Sequence, residues 1–227
     1  MKSKELAYWI GVAQSDGHFK KYYDKTKNNQ KYYVVLSVGL VSLEMLKKFK
    51  KISEKIFGTR SKVHFLKNRN SIEYKVGCKK LLSKFKKLNI SFNDPPKPPN
   101  WVKDNKDYFG AYLAGVIDGD GTISITRPQY PQCQVRIFSN KKQKSLINAI
   151  KKRFSCNVYT YNRKTKGIIK GRKISGSCYI LQFYISKKNQ KLAKEILIPN
   201  LAISKKKNKI NKFLKKKDGR REIRDHS

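Results

Sequence analysis

Two segments of this chain carry the same pattern 104 positions apart, and that repeat limits the fold more than any other feature. The first reads Leu6-Ala-Tyr-Trp-Ile-Gly-Val-Ala-Gln-Ser-Asp-Gly17 and the second Gly110-Ala-Tyr-Leu-Ala-Gly-Val-Ile-Asp-Gly-Asp-Gly121. Ala7, Gly11 and Ser15 map onto Ala111, Gly115 and Gly119, so each copy has small residues at i, i+4 and i+8. On a helix that spacing makes one smooth ridge. Two such ridges let helix backbones approach closely and leave one carboxylate from each, Asp16 and Asp120, side by side.

The 227 residues suit two units of about 100 each, and the repeat favours that division. We expect a first unit over 1–90, a linker over 91–106, a second unit over 107–203 and a basic tail over 204–227. The linker is marked by Asp94-Pro-Pro-Lys-Pro-Pro-Asn100, which continues neither a helix nor a central strand. Apolar periodicity predicts helix 4–15, strands 18–23 and 32–40, helix 42–57, strands 61–67 and 72–77, and helix 79–88 in the first unit. Gly17 is expected to close the first helix in a left-handed conformation, and Gly58 to end the second. The second unit repeats the order with helix 107–119, strands 121–127 and 132–139, helix 142–154, strands 156–163 and 177–185, and helix 188–197. Lys164–Ser177 is an insertion that reads as a mobile loop or an extended hairpin. Ile210, Phe213 and Leu214 among the tail lysines allow one last basic helix before a disordered end. The fold class is therefore α+β, two αββαββα units related by a pseudo-twofold axis.

Charge points to the partner. Fifty-four Lys and Arg against 15 Asp and Glu give a formal +39, an excess whose self-repulsion works against compaction. A polyanion relieves it, which makes nucleic acid the leading partner. No strongly amphipathic basic helix or apolar span supports a membrane role. The four cysteines are scattered without a C-x-x-C pair, which fits reduced, intracellular surroundings; richness in Lys, Asn, Tyr and Ile points to an A+T-rich genome, of an organelle (mitochondrion or chloroplast) or a microbe. The start runs directly into the first motif, with no signal or transit peptide read there.

Strand alternation separates a core face from an outer one. Thr122, Ser124 and Thr126, with Arg127, and Gln132, Gln134 and Arg136 form an outer face of groups suited to base edges in a major groove. In the first unit the matching positions are His18, Lys20 and Tyr22 on one strand and Tyr33 and Ser37 on the next.

These features resemble the LAGLIDADG homing endonucleases in their single-chain, two-motif form. The matching windows are Trp9-Ile-Gly-Val-Ala-Gln-Ser-Asp-Gly17 and Leu113-Ala-Gly-Val-Ile-Asp-Gly-Asp-Gly121; the first departs from the family pattern at Trp9, Ala13 and Gln14. The resemblance implies motif helices packed at a domain interface beneath a saddle of antiparallel sheets that holds double-stranded DNA. It implies a monomer that cuts both strands of a long site, leaving short 3′ overhangs, and an intron as its genetic home. It also implies that Asp16 and Asp120 bind divalent metal, Mg²⁺ or another cation such as Mn²⁺ or Ca²⁺, joined by the carbonyls of Ser15 and Gly119. Lys142 is the candidate for positioning or activating water, and the corresponding stretch of the first unit, Gly39-Leu-Val-Ser42, has no lysine. Physics supports the acids independently. A carboxylate at a helix C-terminus meets the unfavourable end of the dipole at about 0.3–1 kcal/mol each, and a cation removes that cost. Two alternatives stay open: a maturase of the same fold that binds intron RNA, and a DNA-binding protein that does not cleave.

Overall fold

The computed structural model describes residues 2–127, 129–169 and 172–222; at 68, 165–169, 172–174 and 216–222 it describes the backbone alone. The first half runs α1 (Lys4–Ser15), β1 (Gly17–Asp24), β2 (Asn29–Gly39), α2 (Leu43–Phe57), β3 (Val63–Leu66), β4 (Ser71–Gly77) and α3 (Leu82–Lys87). A short α4 (Asn100–Asp104) leads into α5 (Lys106–Asp120), followed by β5 (Gly121–Thr126), β6 (Gln132–Ser139), α6 (Lys144–Phe154), β7 (Tyr159–Ile169) and β8 (Arg172–Ile185). The third helical position of the second half is α7 (Gln190–Leu192), continued as a π turn (Ala193–Leu197) and a 3-10 turn (Ile198–Asn200), and α8 (Ser204–Glu222) closes the described chain. Both four-stranded sheets are antiparallel and have the same strand order, β1-β2-β4-β3 and β5-β6-β8-β7. The α+β architecture and its αββαββα repeat are as the sequence predicts.

The two motif helices cross at their glycines. A Cβ built on Gly11 would stand 2.2 Å from the Tyr112 carbonyl oxygen; one built on Gly115 would stand 2.3 Å from that of Tyr8. These contacts map onto each other under the 104-residue offset, so the pseudo-twofold passes through the crossing. Because the blocking atoms are backbone, no side chain can yield, and glycine is required at both positions for this separation. Around the crossing, Leu6, Ala7, Ile10 and Val12 pack with Ala111, Leu113, Ala114 and Val116 in one core shared by both halves.

Trp9, a departure from the family pattern, fills the core of the first half. It is fully buried, stacks on Phe49 at 5.0 Å, meets Phe57, Phe85 and Phe92, and donates its indole N–H to Ser53 Oγ at 2.8 Å. Its counterpart, Leu113, is equally buried. The indole proton of Trp9 has a partner, so the substitution leaves no unsatisfied group.

Some expectations are corrected. Gly17 is not left-handed: among the described glycines only Gly58, closing α2 at φ 65°, has positive φ, and Gly121 opens β5 as expected. Instead, a Cβ on Gly17 would lie 2.4 Å from the Ala13 carbonyl oxygen, and one on Gly121 2.6 Å from Ile117 backbone atoms. Each glycine lets the chain turn back against its own helix straight into a strand. Within the Pro-rich region, α4 forms because the Pro99 carbonyl accepts from Val102 and Lys103, while Val102 is buried and Trp101 donates to the Leu88 carbonyl at 3.1 Å. The pairing of β7 with β8 runs from Tyr159–Gln182 to Ile169–Arg172, so Lys164–Ser177 belongs to an extended hairpin. The tail expectation holds as α8 as far as Glu222; its expected end lies outside the described residues.

Candidate active centre and nucleic-acid interface

Each motif helix delivers its acid at the turn from helix to strand. Asp16 caps α1, donating its backbone N–H to the Val12 carbonyl at 3.0 Å, and Asp120 is the last residue of α5. The two ends adjoin: a Cβ on Gly119 would stand 2.2 Å from Ser15 Oγ and 3.4 Å from the Asp16 carboxyl carbon. The Ser15 hydroxyl is occupied by its own helix, donating toward the Gly11 and Val12 carbonyls at 2.9 and 3.2 Å. Both acids are half-buried. Burial raises the Asp16 pKa above its usual value, against the pull of Lys206. Burial and then repulsion from Asp16 raise that of Asp120 to about 7, again against Lys206. Metal-free, the pair therefore holds a proton near neutral pH.

Sequence reasoning missed Lys206. Its ammonium donates to the carbonyls of Ile117 and Asp118 at 2.6 and 2.7 Å, in the last turn of α5. Lys142 lies exposed in the turn between β6 and α6. Nothing in the repeat announces Lys206, which is one lysine in a lysine-rich tail.

The position two residues before each acid has a separate task. Asp118 is fully buried and accepts from Tyr8 Oη at 2.8 Å and from the backbone N–H groups of Ala202 and Ile203 at 2.6 and 3.2 Å. Its counterpart Gln14 accepts from Tyr112 Oη at 2.7 Å and Lys97 N–H at 3.1 Å, and donates to the Ser91 carbonyl at 2.9 Å. Tyr8 and Tyr112 are themselves equivalents. Each half thus pins its own exit segment to the motif helix of that half, through a tyrosine donated from the other. Gln14 in place of an acid keeps this wiring without a buried charge.

The strands pair as the alternation requires, but Gln134, expected on an outer face, is buried, and Ile125, expected on the core face, is exposed. In the first sheet, cross-strand neighbours align His18 with Val35, Lys20 with Tyr33 and Tyr22 with Lys31, while Ser37 is exposed opposite Glu73. Tyr22 stacks on Tyr33 at 6.2 Å. A groove of about 700 Å³ opens here, lined in part by His18, Lys20, Tyr22, Lys62, His64 and Lys75. In the second, Thr122 faces Arg136, Ser124 faces Gln134 and Thr126 faces Gln132. Arg127 falls just past β5 with φ 57° and is exposed. This face extends further than the first hairpin of the half. Gln134 Nε2 donates to Tyr184 Oη at 3.0 Å, Gln182 Nε2 donates to the same oxygen at 2.7 Å, and Arg136 Nε donates to Gln182 Oε1 at 3.1 Å. Gln182 and Tyr184 share the alternation of β8 that marked the earlier strands, and extending that count would have found them.

This arrangement, two crossed small-faced helices each ending in an acid between two antiparallel sheets, is the LAGLIDADG fold. Solved structures that it resembles include those of the homing endonuclease I-DmoI. Mesophilic variants of I-DmoI match at a TM-score of 0.53 and 18% identity, covering 86% of this chain and 95% of theirs. I-DmoI in complex with DNA and Ca matches at 0.52 and 18%, covering 85% and 88%, and the complex with DNA and Mn at 0.52 and 18%, covering 86% and 96%. No family model matches the chain.

Proposed function

We propose that this protein is a site-specific DNA endonuclease of the homing type, dependent on a divalent cation. The observation that carries the reading is the meeting of Asp16 and Asp120 at the ends of two crossed helices, flanked by sheet faces that present amide, hydroxyl, aromatic and basic groups. The donor set fits the ion: two carboxylates, with backbone carbonyls of Ser15 and Gly119 beside them, are hard oxygen ligands of the kind Mg²⁺, Mn²⁺ or Ca²⁺ takes. Burial first, and then the neighbouring Asp16, raise the Asp120 pKa to about 7, a cost that a bound cation would remove.

The sheets hold and register a duplex, with phosphates met by the lysines and base edges by His18, Lys20, Tyr22, Tyr33 and Ser37 on one side. On the other side Thr122, Ser124, Thr126, Arg127, Gln132, Gln134 and Arg136 do the same. Asp16 and Asp120 would hold the ion, which when bound would supply Lewis-acid stabilisation to phosphodiester hydrolysis. Lys142 is assigned the positioning of water. The products are a double-strand break with short 3′ overhangs, and the protein acts as a monomer encoded within an intron.

The test is selection of cut molecules from a randomised duplex library with Mg²⁺. One family of long sites should emerge, cut on both strands. Asp16→Asn and Asp120→Asn should each abolish cutting and leave binding within about threefold, since neither carboxylate is assigned a base contact. Cutting that survives both changes refutes the assignment. Binding without scission under every divalent ion would instead favour the non-cleaving protein or the maturase.

A further inference from the structure

Acids are scarce on the sheets. Among the described strand residues two carry carboxylates, Asp24 and Glu73. Asp24 is occupied by its own hairpin: it accepts from the Thr26 N–H and Oγ at 3.2 and 2.6 Å and from the Lys27 N–H at 3.3 Å, and it pairs with Lys31. Glu73 lies mid-strand, with no turn to serve. In β4, Ile72, Tyr74 and Val76 are buried, so Glu73 and Lys75 share the opposite face, where their side chains meet at 2.9 Å. The register runs Ser37–Glu73–His64 across β2, β4 and β3, with Lys75 opposite Val35 in the next outward row. Lys75 lines the groove together with His18, Lys20 and Tyr22. The ion pair therefore stands on the face assigned to the duplex. The repeat does not call for an acid here: in register, Glu73 matches Ile180 of the second half, which is buried.

We propose that Glu73 and Lys75 together read one C·G base pair in the major groove, with Glu73 selecting the cytosine. This rests on the proposed function, since it names one base contact of that same face. A carboxylate only accepts hydrogen bonds, and phosphates repel it, so on a sheet that meets DNA it is unfavourable unless it finds a donor. The major-groove edges offer two, cytosine N4 and adenine N6. Adenine sets its N7 acceptor beside N6, against the second carboxylate oxygen, whereas cytosine has no acceptor on that edge. The guanine of the pair supplies O6 and N7, acceptors suited to the Lys75 ammonium. The ion pair thus holds ready, in the free protein, the acceptor and the donor that a C·G edge complements. Against thymine O4 the carboxylate meets an acceptor and is repelled, so discrimination comes from exclusion as well as attraction.

Binding selection from a randomised duplex library in Ca²⁺, read by sequencing, tests this on the full chain as wild type, Glu73→Gln and Lys75→Met. Wild type should enrich a site with one position held as C·G by at least about tenfold over any other pair. At that position alone, Glu73→Gln should lose at least about fivefold of the preference and move toward A·T, because an amide bonds adenine N6 and N7 together. Lys75→Met should weaken the same position. Glu73→Gln keeps the side-chain shape, so a purely structural or electrostatic role would change affinity for every sequence alike; an unchanged base preference overturns the proposal. A change at a position that wild type fills with A·T overturns the assignment to cytosine. Loss of cutting in Mg²⁺ with base preference intact also overturns it, by placing Glu73 with the chemistry. If wild type enriches no site, the proposed function falls as well. A site enriched by wild type and identical in Glu73→Gln removes the reader and leaves that function standing.

Discussion

Replacing Gly115 by alanine tests the helix crossing on which the centre depends. The new Cβ would meet the Tyr8 carbonyl oxygen at 2.3 Å, Val12 N at 3.0 Å and the Tyr8 carbonyl carbon at 3.2 Å. A carbon–oxygen contact closes at about 3.3 Å, so α1 and α5 must part by roughly 1 Å. Overpacking of this kind costs about 1–3 kcal/mol, and rigid backbone on every side places it at the upper end. Alanine returns about 1 kcal/mol of helix propensity, leaving a net loss of about 2 kcal/mol. At about 2–4 °C per kcal/mol for a chain of this size, Tm should fall by roughly 4–8 °C. Gly11→Ala should behave alike, and the double variant should cost less than the sum, since one separation accommodates both methyl groups. Gly39→Ala is the control: its Cβ meets only Val41 Cγ2 at 3.9 Å and should change stability by less than about 0.5 kcal/mol. A Gly115→Ala protein that melts within 1 °C of wild type, by calorimetry, would refute the close crossing.

Two further outcomes follow from the buried acids. The Asp120 pKa is raised in the fold, so its unfolded form ionises first; metal-free stability should fall as pH rises from about 4 to 7 and then level, by up to about 4 kcal/mol. Melting curves from pH 4 to 8 check this, and Asp120→Asn should make the fall shallower, the raised Asp16 and Asp118 keeping the rest; parallel profiles would contradict the shift. Asp118→Asn turns an amide donor toward N–H groups or the Tyr8 hydroxyl and should cost about 1–3 kcal/mol in urea unfolding without altering the face that meets DNA. An unchanged midpoint would show that the exit segment is not pinned there.

How much of this was legible in the sequence depends on how local each signal is. The ridge at Ala7, Gly11 and Ser15 and its repeat fixed the crossing, because small residues at helical spacing mean close approach whatever surrounds them. Alternation in β1, β2, β5 and β6 pointed to the outer faces, and Gly58 marked the end of α2. The left-handed reading failed at Gly17, where the constraint is collision with the preceding turn rather than φ. Trp9 read as a departure until its partners Phe49 and Ser53, distant in sequence, were in place. Lys206 had no local signal at all: its meaning comes from Asp118 and Glu44, which fix where α8 starts. Short-range periodicity thus delivered the scaffold and the acids, whereas the lysine at the end of α5 comes from tertiary contacts.

The central claim is that Asp16 and Asp120 jointly hold a divalent cation beneath bound DNA. Anomalous scattering from crystals of the protein with a selected duplex and Mn²⁺ tests it most directly. The account predicts a peak within coordination distance of both carboxylates and of a phosphate oxygen. A peak bound elsewhere, with Asp16 and Asp120 both turned from the ion and the DNA, would contradict it.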